Sequence, residues 1–316
     1  MNTRMLVVTN RRLEDKNAKD ESMFGEKTNR EGPAEVRLAW AEKKNRKWYL
    51  SLIDEPKDLT VDSAPSRSAF KEFKAILLEF KKNCVFYVHG YNKNFKESID
   101  QGWELQKRYG VGVLAFSWAS NPGGIPPVEY NKARAIAGAS SPALDMSFEK
   151  LARYMKEDPD EDCSISLNLL THSLGNYVFQ RFVEKPLFSG ETRIFDNLIL
   201  HQADVDSERH ELWVNKLRYA RRVYVTVNEN DKILDISDVV NPDRLGNTST
   251  GLESDRAIYF DFTGGHKVKK THQLFGKLAD KNPVVKDFFS NVFNGEAGES
   301  ISGIRFNPSK NAYDVS

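Results

Sequence analysis

Cysteine is scarce in this chain, and both long hydrophobic runs and an excess of one charge are missing. Only Cys84 and Cys163 occur among the 316 residues, which argues against a disulfide framework or a zinc site built from cysteines. No apolar run approaches the roughly 18–20 residues of a membrane-spanning helix. The 46 basic and 45 acidic residues leave a net charge of +1. That balance gives no overall attraction to nucleic acid or to an anionic membrane.

The remaining composition is that of an ordinary globular protein, with 40% hydrophobic and 29% charged residues. The apolar run at residues 5–8 is too short for a signal peptide, so we expect a cytoplasmic protein without an integral membrane segment. Neither a phosphate-binding glycine loop nor a metal-binding histidine pattern is present. We therefore expect no cofactor, no metal and no nucleic-acid partner. The oligomeric state stays open.

Short apolar segments alternate with segments of helical periodicity along most of the chain. Strands are predicted at residues 6–9, 36–40, 48–53, 85–88, 111–116, 165–170, 198–200, 223–227 and 258–262. Helices are predicted at 68–81, about 95–106, 128–155 and 176–183. This alternation indicates βαβ units and a parallel sheet that is covered on both faces, preceded by an antiparallel hairpin. Residues 10–32 are expected to form a loop, and Pro142 is expected to interrupt the fourth helix.

The sharpest local signal is a strand that runs straight into His172-Ser173-Leu174-Gly175 and then into a helix. This strand–turn–helix context is typical of a nucleophile elbow, in which the serine hydroxyl is exposed at the carboxyl edge of a sheet. The turn is tight, so the residues two positions before and after the serine must be small. Gly175 meets that requirement, whereas Thr171 departs from the usual glycine. Ser173 is the candidate nucleophile.

An acyl-transfer serine enzyme also needs two hydrogen-bond donors for the developing oxyanion. One usually comes from the residue after the nucleophile, here Leu174, and the other from the loop after an earlier strand. A buried strand ends here in His89-Gly90-Tyr91-Asn92. We expect the backbone N–H groups of Tyr91 and Leu174 to form the oxyanion hole, with Asn92 as the alternative to Tyr91. His89 is expected to hydrogen-bond the loop rather than to act as a base.

The acid and the base of a triad should follow the serine in that order. Asp231 lies just past the strand at residues 223–227, and Asp204 lies past the preceding strand. We favour Asp231 and keep Asp204 as the alternative. Two histidines follow the last predicted strand. We favour His272, which a Thr271 cap would hold at the start of a helix, over His266, which lies between glycines and lysines.

These motifs together resemble the α/β-hydrolase superfamily, and more narrowly a bacterial α/β-hydrolase family of unknown function. The matching pieces are Thr9-Asn10-Arg11, Phe86-Tyr87-Val88-His89-Gly90-Tyr91-Asn92, Phe116-Ser117-Trp118, His172-Ser173-Leu174-Gly175-Asn176, and Arg244-Leu245-Gly246 with His272 and Phe275. They extend over most of the chain. The resemblance implies a serine-hydrolase triad of Ser173, Asp231 and His272, but it supplies no substrate.

The expected fold is therefore an α/β-hydrolase fold, with a mostly parallel eight-strand sheet, helices on both faces and an antiparallel N-terminal edge. One domain is predicted over residues 1–293, with a pocket-shaping insertion at about 120–155, and an extended or partly disordered tail over 294–316. The predicted function is cleavage of carboxylic esters or thioesters, lipid acyl esters among them, through a covalent acyl-enzyme. An amidase or peptidase with the same triad and a non-catalytic binding module of the same fold stay as alternatives.

Overall fold

The computed structural model describes most of the chain, namely residues 4–32, 34–55, 63–125, 128–157, 164–186, 193–238 and 243–316. Within these ranges no helix is both long and apolar enough to cross a membrane. Cys163, Pro126 and Pro127 lie outside the described residues.

Strands and helices alternate through the middle of the chain, as the sequence pattern predicts. The strands in the described ranges are β1 Arg4–Thr9, β2 Arg11–Leu13, β3 Phe24–Thr28, β4 Arg37–Lys44, β5 Lys47–Ile53, β6 Cys84–Val88, β7 Gly112–Ser117, β8 Leu167–His172, β9 Phe195–His201, β10 Ala220–Val227, β11 Ala257–Asp261, β12 Ile304–Asn307 and β13 Ala312–Val315. The α-helices are α1 Pro65–Glu79, α2 Phe95–Tyr109, α3 Val128–Glu157, α4 Gly175–Glu184, α5 Glu211–Val214, α6 Lys232–Asp238 and α7 Pro283–Phe293.

One large sheet organises the molecule. Its eleven strands follow the order β12-β13-β11-β10-β9-β8-β6-β7-β1-β4-β5. The strands from β13 to β1 all run parallel, and β12 on one side and the β4–β5 hairpin on the other are antiparallel. The mostly parallel sheet with an antiparallel N-terminal edge is thereby confirmed, but the sheet has eleven strands rather than eight.

The two faces of this sheet bury separate sets of apolar side chains. Alternate residues of β6 point to opposite faces, as the two-residue period of a strand requires. Phe86 and Val88 join the side chains of α1, α3, α4 and α5. Val85 and Tyr87 join those of α2 and α7 on the other face. Because helices cover both faces, the strands between them carry nearly continuous apolar sequence.

The C-terminal residues, expected to form an extended or partly disordered tail, contribute two extended strands to the sheet. β13 pairs in parallel with β11, and β12 pairs antiparallel with β13. Ile304, Ala312 and Val315 are buried in these strands. Edge strands of four residues that bury only three side chains give little periodic hydrophobic signal in the sequence.

Residues 10–32 also differ from the loop expected for them. β2 and β3 form a separate antiparallel hairpin. Its position is fixed by Arg11, whose fully buried guanidinium donates to Ser117 Oγ at 2.9 Å, to Glu26 at 2.7 Å and to the Lys93 carbonyl at 2.6 Å. A buried charge that is held by several partners is a tertiary feature, and local hydrophobic patterning does not reveal it.

The expected interruption of the fourth helix at Pro142 is wrong, because α3 continues through that residue. A proline inside a helix leaves the carbonyl of the residue four positions earlier without its usual donor. That carbonyl belongs to Gly138, and the Ser141 hydroxyl donates to it at 3.0 Å. The preceding serine therefore replaces the hydrogen bond that the proline removes.

We predict that Ser141→Ala lowers the free energy of unfolding by about 1–2 kcal/mol, because it leaves the Gly138 carbonyl without a donor in a partly buried helix. Ser147→Ala is the matched control. Its hydroxyl also donates to a helix carbonyl, that of Ala143, but the backbone N–H of residue 147 already serves that carbonyl. Urea unfolding of both variants measures the difference, and an equal loss in the two would contradict this account.

Candidate active site

Ser173 lies in a sharp turn between β8 and α4, at the carboxyl edge of the sheet. Its φ of 53° places a non-glycine residue in the left-handed region, which costs energy and is retained where the surrounding structure fixes it. The Ser173 N–H donates to the His201 carbonyl at 3.1 Å. A Cβ on Gly175 would lie 2.6 Å from the His89 carbonyl oxygen, so only glycine fits there. This is the local geometry of a nucleophile elbow.

The Asn176 side chain holds this turn together, a role that sequence reasoning did not assign to it. Its amide nitrogen donates to the carbonyls of Thr171, Ser173 and His201 at 3.0–3.2 Å. Its amide oxygen accepts from the Thr171 hydroxyl at 2.6 Å. Thr171 therefore fits in place of the usual glycine because its hydroxyl takes part in the same network. The asparagine directly after Ser-Leu-Gly was the available signal.

The structure brings His272 and Asp231 together. His272 Nδ1 lies 2.6 Å from Asp231 Oδ2, and the Asp231 side chain is fully buried. The backbone N–H of Ile233 donates to the other carboxylate oxygen at 3.0 Å. Gln202 Nε2, which sequence reasoning also missed, donates to Oδ2 at 3.0 Å. A carboxylate with these donors is held in one orientation and, in turn, orients the imidazole.

Asp204, the alternative acid, is engaged elsewhere. Its two carboxylate oxygens accept from the Tyr130 hydroxyl at 3.0 and 2.9 Å, and one of them accepts from Ser237 Oγ at 2.8 Å. Tyr130 comes from α3, in the predicted pocket-shaping segment, and its ring meets that of Tyr91 edge to face at 5.6 Å between centroids. Asp204 thus joins α3 and α6 beside the site, and among the described residues no histidine ring bonds to its carboxylate.

His272 does not open a helix behind a Thr271 cap, contrary to expectation. The next helical turn begins at Leu274 and has no side-chain cap. Side chains from the sheet hold the loop instead. Asn228 Nδ2 donates to the Thr271 carbonyl at 2.9 Å, and His172 Nε2 lies 3.3 Å from the His272 carbonyl oxygen. The alternative base, His266, is exposed to solvent.

The His272 ring packs against the residue that precedes the nucleophile. The ring centroids of His172 and His272 are 4.8 Å apart. Among the described residues, no hydrogen bond joins the Ser173 hydroxyl to His272. Catalytic hydrogen bonds are often long in substrate-free enzymes and shorten when substrate binds.

Two backbone donors lie beside Ser173 without acceptors. In the described part of the chain, the N–H groups of Tyr91 and Leu174 form no hydrogen bond. The N–H of Asn92, the alternative donor, is occupied because it donates to the Ser120 carbonyl at 3.0 Å. Gly90 allows the close approach, since a Cβ on it would lie 2.7 Å from Ser173 Cβ. Unoccupied donors at this place suit a developing oxyanion.

Three buried histidines around the site are held in the neutral form. Burial lowers the pKa of His89 to about 3, and the charge of Arg11 lowers it further. Its Nδ1 donates to the Gly90 carbonyl at 2.9 Å and its Nε2 accepts from the Trp118 N–H at 3.1 Å, so His89 supports the loop as expected. Burial, followed by the charge of His272, also lowers the pKa of His172 and of His201 well below the usual value.

No arrangement for a metal ion is apparent at this site. Among the residues that the structure describes, no group of three or more histidine, cysteine, aspartate or glutamate side chains is placed to hold one. Cys84 is buried as a free thiol.

We predict that stability falls as pH decreases below about 6.5, the ordinary histidine pKa. The unfolded chain then binds protons that the buried, neutral His89, His172 and His201 do not accept. Each histidine contributes up to about 1.4 kcal/mol per pH unit in this range. Denaturant unfolding between pH 7 and pH 5 measures the slope.

His201→Gln should reduce that slope by the contribution of one histidine, whatever its effect on stability at pH 7. His266→Gln, at an exposed position, is the matched control and should leave the slope unchanged. A flat stability profile over this range in the native protein would contradict the buried neutral histidines.

Comparison with known families agrees with this geometry. A family profile described as "Alpha/beta hydrolase of unknown function (DUF900)" matches residues 66–260, which is more than half of the chain. The match includes Ser173 and Asp231, and His272 lies beyond its end. No curated protein and no solved structure matches at a significant level. The fold and the extent of the match together show that the chain belongs to this family of α/β hydrolases of unknown function.

Proposed function

We propose that the protein is a serine hydrolase that cleaves carboxylic esters or thioesters through a covalent acyl-enzyme. The observation that carries the proposal is the pair of unoccupied N–H groups, those of Tyr91 and Leu174, beside a serine held at positive φ. In a turn that serves only the fold, backbone N–H groups that are shielded from solvent are normally hydrogen-bonded. An oxyanion formed by attack of the serine on a carbonyl carbon would occupy them.

The proposed reaction begins with attack of Ser173 Oγ on the ester carbonyl carbon, while His272 Nε2 takes the hydroxyl proton. Asp231, bonded to His272 Nδ1, stabilises the imidazolium that forms. The carbonyl oxygen becomes an oxyanion that accepts from Tyr91 and Leu174. The tetrahedral intermediate then collapses, and the alcohol or thiol leaves with the proton from His272. Water repeats these steps on the acyl-enzyme and releases the acid.

We predict that a fluorophosphonate probe labels the native protein at Ser173 and that Ser173→Ala abolishes labelling. The same change should lower ester hydrolysis by several orders of magnitude, since the members of a triad act as a unit. Intact-mass and peptide mass spectrometry locate the adduct, and the melting temperature shows whether the variant is folded. Labelling of another residue, or undiminished hydrolysis by Ser173→Ala, would overturn the proposal.

The acid and the base can be tested by paired variants. Asp231→Asn and His272→Ala should each nearly abolish hydrolysis, because the base then loses its orientation or is absent. Asp204→Asn and His266→Ala are the matched controls. Asp204 bonds Tyr130 and Ser237, so its loss should affect the melting temperature more than the rate of chemistry. If the ranking is reversed in variants of equal melting temperature, the assignment of acid or base is wrong.

Substrate profiling separates the acyl classes. Aryl esters, thioesters and anilides of the same acyl group, compared by kcat/KM, distinguish an esterase or thioesterase from an amidase with the same residues. Turnover of the anilide at a rate equal to that of the ester would favour the amidase. Acyl chains of increasing length then test for lipid acyl esters.

A further inference from the structure

Lys93 is held rigidly in the loop that also carries Tyr91. Its N–H donates to Ser120 Oγ at 2.9 Å, and its carbonyl accepts from the Arg11 guanidinium at 2.6 Å and from Ser120 Oγ at 3.1 Å. Arg11 is fully buried. The backbone of Lys93 is therefore fixed on both sides, and its side chain starts from a defined place two residues after the candidate oxyanion donor.

The ammonium group of Lys93 has no ion-pair partner among the described residues, although the residue is only partly exposed. Nearby carboxylates are already engaged. Glu26 bonds Arg11 at 2.7 Å, and Glu97 accepts from the Asn94 N–H at 3.0 Å. A partly buried charge without a partner loses hydration and gains nothing in return. Such a position is stabilised when an anion binds beside it.

The charge of Lys93 reaches the nucleophile turn. After burial and the charges of nearby histidines, it contributes to the lowered pKa of His172, the residue before Ser173. It also contributes to the lowered pKa of His89, after burial and Arg11. The charge of Lys93 therefore acts on the residue before Ser173 and on the end of the strand that leads into Gly90.

The carboxylates at the site are buried and hydrogen-bonded to side chains of the protein. Glu129 is buried and acts on the Tyr91 hydroxyl, whose pKa is raised to about 12 by burial and by this carboxylate. Asp231 is bonded to His272. Lys269 and Lys270 precede His272, are exposed and have no ion pair in the described part of the chain. The carboxylates at the site are thus buried, whereas these lysines and Lys93 are at least partly accessible to a substrate.

We infer that this site takes esters or thioesters that carry a carboxylate or phosphate group, and that Lys93 binds this group. The inference rests on the proposed function and adds the charge of the substrate to it. Lysine suits such an anion as a compact point charge with three donors. The anion must lie within reach of both the ammonium and the bond that Ser173 attacks, so it belongs to the same small substrate.

The test compares 4-acetoxybenzoate with its neutral methyl ester, methyl 4-acetoxybenzoate. Both carry the same acetyl group on the same aryl oxygen, and they differ in the charge at the far end of the ring. The native protein should show the higher kcat/KM for the anionic ester, and added salt should reduce that preference. Lys93→Met should lower the ratio of the two kcat/KM values by at least about tenfold, the worth of one hydrogen bond to a charged group.

Lys47→Met is the matched control, because it removes the same charge from an exposed position on β5 at the far edge of the sheet. It should leave the ratio unchanged. Lys93→Arg should retain most of the preference, because it keeps the positive charge. 4-Acetoxyphenyl phosphate replaces the carboxylate with a phosphate and shows which anion is preferred. Phenyl hydrogen adipate against phenyl hexanoate moves the anion to the acyl side.

Two results would overturn the inference while leaving the hydrolase intact. One is a native protein that prefers the neutral ester on both the acyl and the aryl side. The other is an equal loss for the charged and neutral esters in Lys93→Met. Failure of the proposed function has a different signature, in which the native protein hydrolyses none of these esters or Ser173→Ala hydrolyses them all.

Discussion

The turn that carries Ser173 packs against the ends of the neighbouring strands β6 and β9, and the remaining site geometry depends on this contact. Gly90 and Gly175 are the points of closest approach, and a Cβ at either would lie within 2.7 Å of another atom. Tyr91 follows the first glycine and Leu174 precedes the second. The contact that holds the serine at positive φ therefore also sets both N–H groups beside it. No loop has to move to bring these groups together, because the parallel strands β6, β8 and β9 end at the same level of the sheet.

The acid and the base are positioned by a different kind of interaction. They lie on loops, and buried polar side chains hold these loops to the sheet. Asn228 holds the backbone before His272, His172 meets its carbonyl, and Gln202 fixes the Asp231 carboxylate. Such a network of buried hydrogen bonds stabilises the two loops most when every partner is present. The nucleophile turn thus combines close packing with the hydrogen bonds of Asn176, whereas the base depends on hydrogen bonds that include those of a buried, neutral histidine.

Local features of the sequence predicted much of this arrangement. Contacts between residues that lie far apart in the chain could not be predicted in this way. The βαβ order and the turn at Ser173 follow from periodicity and from a strand that runs into a helix. Gln202 was missed because its partner Asp231 lies 29 residues away, on the loop after another strand. Asn176 was missed because its role also depends on the His201 carbonyl, 25 residues away on β9. The predicted helix break at Pro142 was wrong because the hydroxyl of the preceding residue, Ser141, replaces the hydrogen bond that the proline removes. The edge strands β12 and β13 are only four residues long each, so their apolar residues form no recognisable period and only their pairing identifies them.

The position of β13 has a consequence for the order in which the chain can fold. β13 covers the edge of β11, the strand that leads into the loop of His272, and it includes Ala312. During synthesis, the strands around Ser173 emerge long before this cover does. A nascent chain that stops short of residue 312 leaves the backbone groups of β11 open along one side. An open strand edge is a template for pairing with another chain, so premature termination there should yield aggregates rather than a soluble, slightly shortened protein.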